Sequence, residues 1–262
     1  MKINIHAGHN PKGKVACGAI GLLDESTENR NVAKELKAIL EAEGHIVYDC
    51  TCNNGTSVSD VINKIVAKSN SNNADLDISI HFNSGANDKA GNGKSTGVEC
   101  LIYNTTNNKE AIAKRICANI AQLGFKNRGV KIRTDLSILK KTKAPCILIE
   151  CCFVDDLDDV KLYNPKSMAK AIAQGILNKT IEDKKENVFY RVVCGSYANY
   201  ANAEAQIRNL EAKGIKNAFI DIYKKYDIII MKNIKIQTQN VRQNIIKKIV
   251  MARNSNLLLV QT

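Results

Sequence analysis

The chain has only four histidines, His6, His9, His45 and His81, and two of them stand where α/β proteins place their chemistry. His9 follows the first apolar run in the loop Ala-Gly-His-Asn, and His81 ends the run Asp-Ile-Ser-Ile-His. Both positions lie at or just beyond the carboxyl end of an expected strand. Between them, Glu25 precedes a long helical pattern in LLDESTEN, with Asp24 and Glu28 as neighbouring carboxylates that could take the same role. Two imidazoles and a carboxylate with an open fourth position form a known catalytic zinc set. Water in that fourth position has its pKa lowered to about 7, which makes it a nucleophile at neutral pH. The three residues can converge only if the first and third strands are neighbours or nearly so. His6, inside the first strand, and His45, just after Gly44, read as structural.

Attack of water on an amide also needs a group that takes the water's proton and passes it to the leaving nitrogen. Glu150 is the best candidate, because it ends the apolar run Ile-Leu-Ile-Glu and would project from the end of a buried strand. A glutamate is unusual there unless it is paired or functional. Partial desolvation would raise its pKa toward the range useful in general acid/base catalysis.

Short apolar runs alternate with amphipathic helices across residues 1–178, which is the pattern that positions such a set. Strands are expected over residues 2–6, 46–50, 77–81, 97–103 and 146–150. Helices are expected over 28–43, ending at Gly44, a suitable helix terminator, and over 57–68, 108–123 and 167–178. The run at 146–150 is almost unbroken, as in strands buried on both faces. The fold class is therefore α/β: a single mixed sheet with helices on both faces, followed by a small α+β C-terminal domain. Residues 1–179 form the catalytic domain, the short charged stretch 180–187 (TIEDKKEN) a linker, and 188–262 the second domain. In the second domain a strand (189–194), a helix (202–212) and a strand (218–223) are expected. From 228 to 262 there is no Asp, Glu, Gly, Pro or aromatic residue. That stretch reads equally as a completing strand–helix–strand half-repeat or as an aberrant tail.

Residues 1–178 resemble the Amidase_3 type of zinc-dependent N-acetylmuramoyl-L-alanine amidases, which is found in autolysins and phage endolysins. The matching segments run in the family's order. They are the pair Gly8-His9, Glu25 with Asn29 four residues on, the strand end Ser79-x-His81-x-Asn83, and Pro145 followed by Glu150 and Phe153. The resemblance implies that His9, Glu25 and His81 bind one Zn2+ and that Glu150 is the catalytic acid/base. It also implies that Asn83 and Arg128, the latter in an Arg128–Gly129 turn, face the substrate. The implied activity is hydrolysis of the amide between N-acetylmuramic acid and L-alanine in bacterial peptidoglycan, with cell-wall lysis as the outcome. Two departures stand out: Asn-Pro-Lys-Gly follows Gly8-His9 where many members carry glycines, and Cys151-Cys152 follows Glu150 where small residues are usual. Residues 190–214 are similar to the first half of a SPOR repeat, a peptidoglycan-binding module, and that likeness points to Gly195, Ser196 and Tyr197 as wall-binding residues.

Composition narrows the partners. The formal charge of +12 favours an anionic partner, and besides peptidoglycan itself anionic wall polymers fit. Nucleic acid is the weaker reading, because Trp is absent, aromatics total only 5%, and no basic recognition motif appears. The nine cysteines are odd in number and scattered, without a CxxC pair, which argues against a disulfide scaffold and for synthesis in a reducing cytosol. The start of the sequence has no secretory h-region and no run reaches the length of a membrane span, so the expectation is cytoplasmic synthesis without export or membrane insertion. Action on the wall then follows release through a membrane hole or lysis of a mother cell. Competing activities are a zinc peptidase acting on the stem peptide and a non-catalytic wall-binding protein.

Overall fold

The computed structural model describes residues 1–182, 195–216 and 218–220. The chain divides into two units, Met1–Lys185 and Glu186–Thr262. The first runs β1 (Lys2–Ala7), α1 (Glu25–Ala42), β2 (Ile46–Asp49), α2 (Val58–Ser71), β3 (Leu76–Asn83), β4 (Val98–Ile102), α3 (Lys109–Ala121), β5 (Asn127–Ile132), α4 (Ser137–Lys141), β6 (Cys146–Phe153), α5 (Leu157–Leu162) and α6 (Pro165–Leu177). In the second unit the described residues contain α7 (Tyr200–Ala212).

The six strands form one sheet in the order β2-β1-β3-β6-β4-β5. β2, β1, β3 and β6 run parallel, β4 is antiparallel to β6, and β5 is parallel to β4, so the sheet is mixed. β3 and β6 at its centre are buried along nearly their whole length, as their apolar sequences require. β1 pairs directly with β3, which meets the condition for His9 and His81 to converge.

Helices cover both faces. On one face Val32, Leu36 and Leu40 of α1 recur every four residues and pack with Ile112, Ile116 and Ile120 of α3 and Met168 and Ile172 of α6. On the other, Val61 and Ile65 of α2 and Ile138 and Leu139 of α4 cover Leu101, Cys146 and Leu148. The second face leaves the upper ends of β3, β4 and β6 with polar side chains, and the site lies there.

Several expectations need correction. α1 starts at Glu25 rather than at residue 28: Asp24 caps the helix by accepting from Thr27 N, so Glu25 sits in the first turn. Arg128 and Gly129 belong to an edge strand, β5, and not to a turn. Gly129 has φ +78 and the β4–β5 register shifts between Val98 and Cys100, so the local bend is a bulge within pairing strands. The short helices α4 and α5 add to the expected elements. Ile181 is buried in the main core, so the start of the expected linker packs with the first unit. Residues 218–220 carry no strand, and the expected elements at 189–194 and 228–262 lie outside the described residues. Every described cysteine is free. Among the described residues no helix is long and apolar enough to cross a membrane.

Candidate active site

The loop after β1 carries His9 in a left-handed conformation, φ 64, with its ring against Glu25 and His81. Two anchors hold this loop. Asn10 is fully buried and its amide donates to Val15 O at 2.7 Å and Gly55 O at 2.7 Å, while its carbonyl oxygen accepts from Gly55 N at 2.9 Å. Arg30 of α1 donates to His9 O at 2.9 Å and Cys52 O at 3.0 Å. Asn10 thus has a structural reason to stand after Gly8-His9.

Glu25 is the hub of the site. Its Oε1 lies 3.2 Å from His9 Nε2 and 3.1 Å from His81 Nδ1, and it also accepts from Phe82 N at 3.1 Å. Its Oε2 accepts from Ala19 N at 2.8 Å. Burial alone would raise the Glu25 pKa, but hydrogen bonds from His81 and His9 outweigh it and hold the carboxyl well below the usual carboxylate range. Asp24 and Glu28, the alternatives in sequence, are engaged elsewhere: Asp24 as the helix cap, and Glu28 by accepting from Tyr163 Oη at 2.9 Å.

The rings of His9 and His81 meet edge to face with centroids 4.9 Å apart. One donor atom from each of His9, Glu25 and His81 lies within 4.8 Å of the others, so the three could hold a metal ion. Burial lowers the His81 pKa, against the pull of Glu25, and favours the neutral imidazole that a metal requires. The donor set of two nitrogens and one carboxylate oxygen suits zinc better than the hard, all-oxygen cations.

The approach of β1 to β3 leaves no room at Gly8. A Cβ there would come within 2.1 to 2.7 Å of the His81 ring atoms. Gly8→Ala is therefore expected to tilt His81 and to weaken metal affinity by ~10–100-fold, the effect of displacing a ligand's support. Competition against a chromophoric chelator measures this. A circular-dichroism melt close to the wild type's separates displacement of His81 from unfolding.

Glu150 stands opposite His81 in the β3–β6 register, so both side chains leave the same face of neighbouring strands. Its Oε2 is buried and has no hydrogen-bond partner among the described residues. Burial, then the negative charges of Glu25 and Glu99, push its carboxyl up to about 8, against Arg133. A raised carboxyl with an unsatisfied oxygen beside three residues that could hold a metal has the properties that general acid/base chemistry uses.

Asn83 and Arg128 meet through a residue that the sequence reading missed. Asn83 Nδ2 donates to Glu99 Oε1 at 3.2 Å, and Arg128 Nε donates to Glu99 Oε2 at 2.6 Å. Lys131 Nζ donates to the same Oε2 at 2.6 Å. Glu99 could have been noticed as the one charge inside the run Val-Glu-Cys-Leu-Ile. His6 is buried with its Nε2 2.8 Å from Asp77 Oδ1, and His45 Nδ1 lies 3.0 Å from the amino terminus, so neither joins the triad. Gly195, Ser196 and Tyr197 are exposed just before α7.

Among the described residues two other groups, His6/Asp77/Cys146 and Asp88/Asp156/Asp158, also bring three donors together. In the first, Asp77 is taken up by His6 and by Asn4 Nδ2 at 3.1 Å. In the second, Asp156 accepts from Thr96, Asp158 and Asp159 N, and Asp158 accepts from Asn92 and Gly93 N, so these carboxylates tie the 84–97 loop to α5.

Known proteins share this arrangement of chain. The solved catalytic domain of the CD27L endolysin targeting Clostridia Difficile is similar over 70% of this chain and 99% of its own, with 32% identity and a TM-score of 0.62. The sporulation-specific N-acetylmuramoyl-L-alanine amidase of Bacillus subtilis is 29% identical over 227 residues, which cover 82% of each chain. An uncharacterized protein of Clostridium perfringens is 40% identical over 187 residues, 70% of this chain, and the match spans 53% of that longer protein. Residues 3–181 match the family model described as N-acetylmuramoyl-L-alanine amidase. On that match, which takes in every residue from Gly8-His9 to Glu150, the chain belongs to the Amidase_3 family of N-acetylmuramoyl-L-alanine amidases.

Proposed function

We propose that the protein is a zinc-dependent amidase that hydrolyses the bond between the lactyl group of N-acetylmuramic acid and L-alanine in peptidoglycan. The observation that carries this reading is the convergence of His9, Glu25 and His81 beside Glu150, whose buried Oε2 has no partner among the described residues. Zinc held by the triad would supply Lewis acidity toward the scissile carbonyl and toward water. Glu25 Oε1 lies within 3.2 Å of a ring nitrogen of each imidazole, so the three side chains present their donor atoms to one point. Glu150, in its ionised form, takes a proton from the attacking water at Oε2. It then returns that proton to the alanine nitrogen as the carbon–nitrogen bond breaks, which leaves a free amine on the peptide and a carboxylic acid on the lactyl group that gives up its own proton to water.

The test is metal dependence. Protein stripped with a chelator is expected to lose its amidase activity and to recover it with about one zinc per chain, the stoichiometry of one such site. His81→Ala is expected to bind less metal and to stay inactive at the same zinc concentration. Full activity after complete metal removal would contradict the reading.

The biological setting proposed is a lytic enzyme made in the cytoplasm that meets the wall only after release. Support comes from relatives named as an endolysin of Bacillus phage SPP1 and as a sporulation-specific amidase of Bacillus subtilis. The region from Gly195 onward is proposed to hold the enzyme on peptidoglycan through Gly195, Ser196 and Tyr197. The basic charge would aid retention on anionic wall polymers.

A further inference from the structure

Glu99 of β4 stands opposite Glu150 of β6 in the antiparallel register, so two carboxylates share one face at the mouth of the site. Burial would raise the Glu99 pKa, but hydrogen bonds from Lys131 and Arg128 outweigh it and keep the carboxyl below its usual range. Glu99 is thus an anion facing two cations through one oxygen, Arg128 Nε and Lys131 Nζ both at 2.6 Å. The three charges sum to +1. Arg133, farther along the same edge, is neutralised separately by two hydrogen bonds to Asp135 at 2.8 and 2.7 Å.

The two cations on Glu99 differ in freedom. The Arg128 guanidinium lies 5.0 Å over the Phe153 ring and is held in place. The Lys131 side chain is 45% exposed, and its ammonium has donors beyond the one given to Glu99. The surplus positive charge therefore belongs to Lys131 and faces solvent on β5, two strands from Glu150.

Chemistry decides which part of the substrate can answer that charge. In peptidoglycan the glycan is neutral, because the lactyl carboxyl is tied up in the amide to be cut, whereas the stem peptide bears free carboxylates. β6 and β5 are separated by two strand spacings, roughly 10 Å, which is about three extended residues. Resting on the amidase reading above, we propose that Lys131, backed by Glu99 and Arg128, is a specificity subsite for a free carboxylate within the first three residues of the departing peptide.

The experiment compares two synthetic muramoyl-peptides that differ only in whether the carboxyl groups of those residues are free or amidated. Wild-type protein is expected to cleave the free-carboxylate form with kcat/KM about 10-fold higher, the scale of one charge-assisted contact. That ratio should shrink toward one as salt is raised. Lys131→Met should bring the ratio close to one, and Lys131→Arg should retain most of it. Equal cleavage of both substrates by wild type, a salt-independent ratio, or a preference that survives Lys131→Met would overturn the subsite and leave the amidase reading standing. Cleavage of neither substrate would overturn the amidase reading and the subsite with it.

Discussion

Glu150→Gln is expected to cut amidase turnover by ~10²–10⁴-fold, the usual contribution of a general acid/base, while zinc still binds. The same change should stabilise the metal-free protein. The Glu150 carboxyl is raised by burial and by neighbouring negative charge to about 8, from 4.5 in an unstrained setting. A raised carboxyl favours the fold fully only below about 4.5, and that contribution is lost as pH climbs through about 8. Near pH 7 the wild type therefore carries a penalty that glutamine, having no charge, does not. After allowance for a new amide in a partly unsatisfied pocket, the gain is on the order of 1–2 kcal/mol. In a unit of this size that raises Tm by ~2–8 °C. Melting curves of the chelated proteins from pH 4 to 9 check the sign: the stability of Glu150→Gln relative to wild type should rise steadily from the acid end toward pH 8. A Tm that falls together with activity would mean that Glu150 holds the fold together, and the catalytic assignment would fail.

Glu25→Ala should have the other large effect, in the opposite direction for stability. It removes one of the three proposed metal ligands, so activity is expected to drop to the level of chelated wild type. It also strips acceptors from Ala19 N and Phe82 N, which bond separate oxygens of the carboxylate. Leaving two such N–H groups without an acceptor costs about 1–3 kcal/mol each where water cannot reach them. Glu25→Gln should fall between the two proteins, since one amide oxygen cannot serve both donors. Because the Glu25 carboxyl is held below its usual range, its contribution is present above about 4.5 and disappears as pH falls through its folded value. Both variants should therefore lose less stability than wild type on acidification. Metal analysis and acid melts check this, and a Glu25→Ala protein that keeps zinc and activity would remove Glu25 from the ligand set.

The parts of this site that could be read in the sequence are those that sit at strand ends. His9, His81 and Glu150 each follow or close an apolar run, and alternation of strands with helices was enough to expect one sheet with both faces covered. Glu25 is visible in the sequence but falls just outside the expected helix, because Asp24, the cap that starts α1 a turn earlier, looks like another surface acid. Arg128 looks like part of a turn because β5, NRGVKI, is a half-exposed edge strand with two charges and a glycine bulge. The supports of the site were not visible. Asn10 and Arg30 act on backbone carbonyls far away in the chain, contacts that leave no periodic trace. Glu99 becomes meaningful only once β4 is known to run antiparallel beside β6.

The most direct measurement is mass spectrometry of purified peptidoglycan digested by this protein, with a chelated sample and Glu150→Gln in parallel. The account predicts new free amino groups on L-alanine and intact glycan strands bearing unsubstituted lactyl groups, with both products missing from the two controls. Cleavage within the stem peptide, with the lactyl–alanine bond left whole, would contradict it.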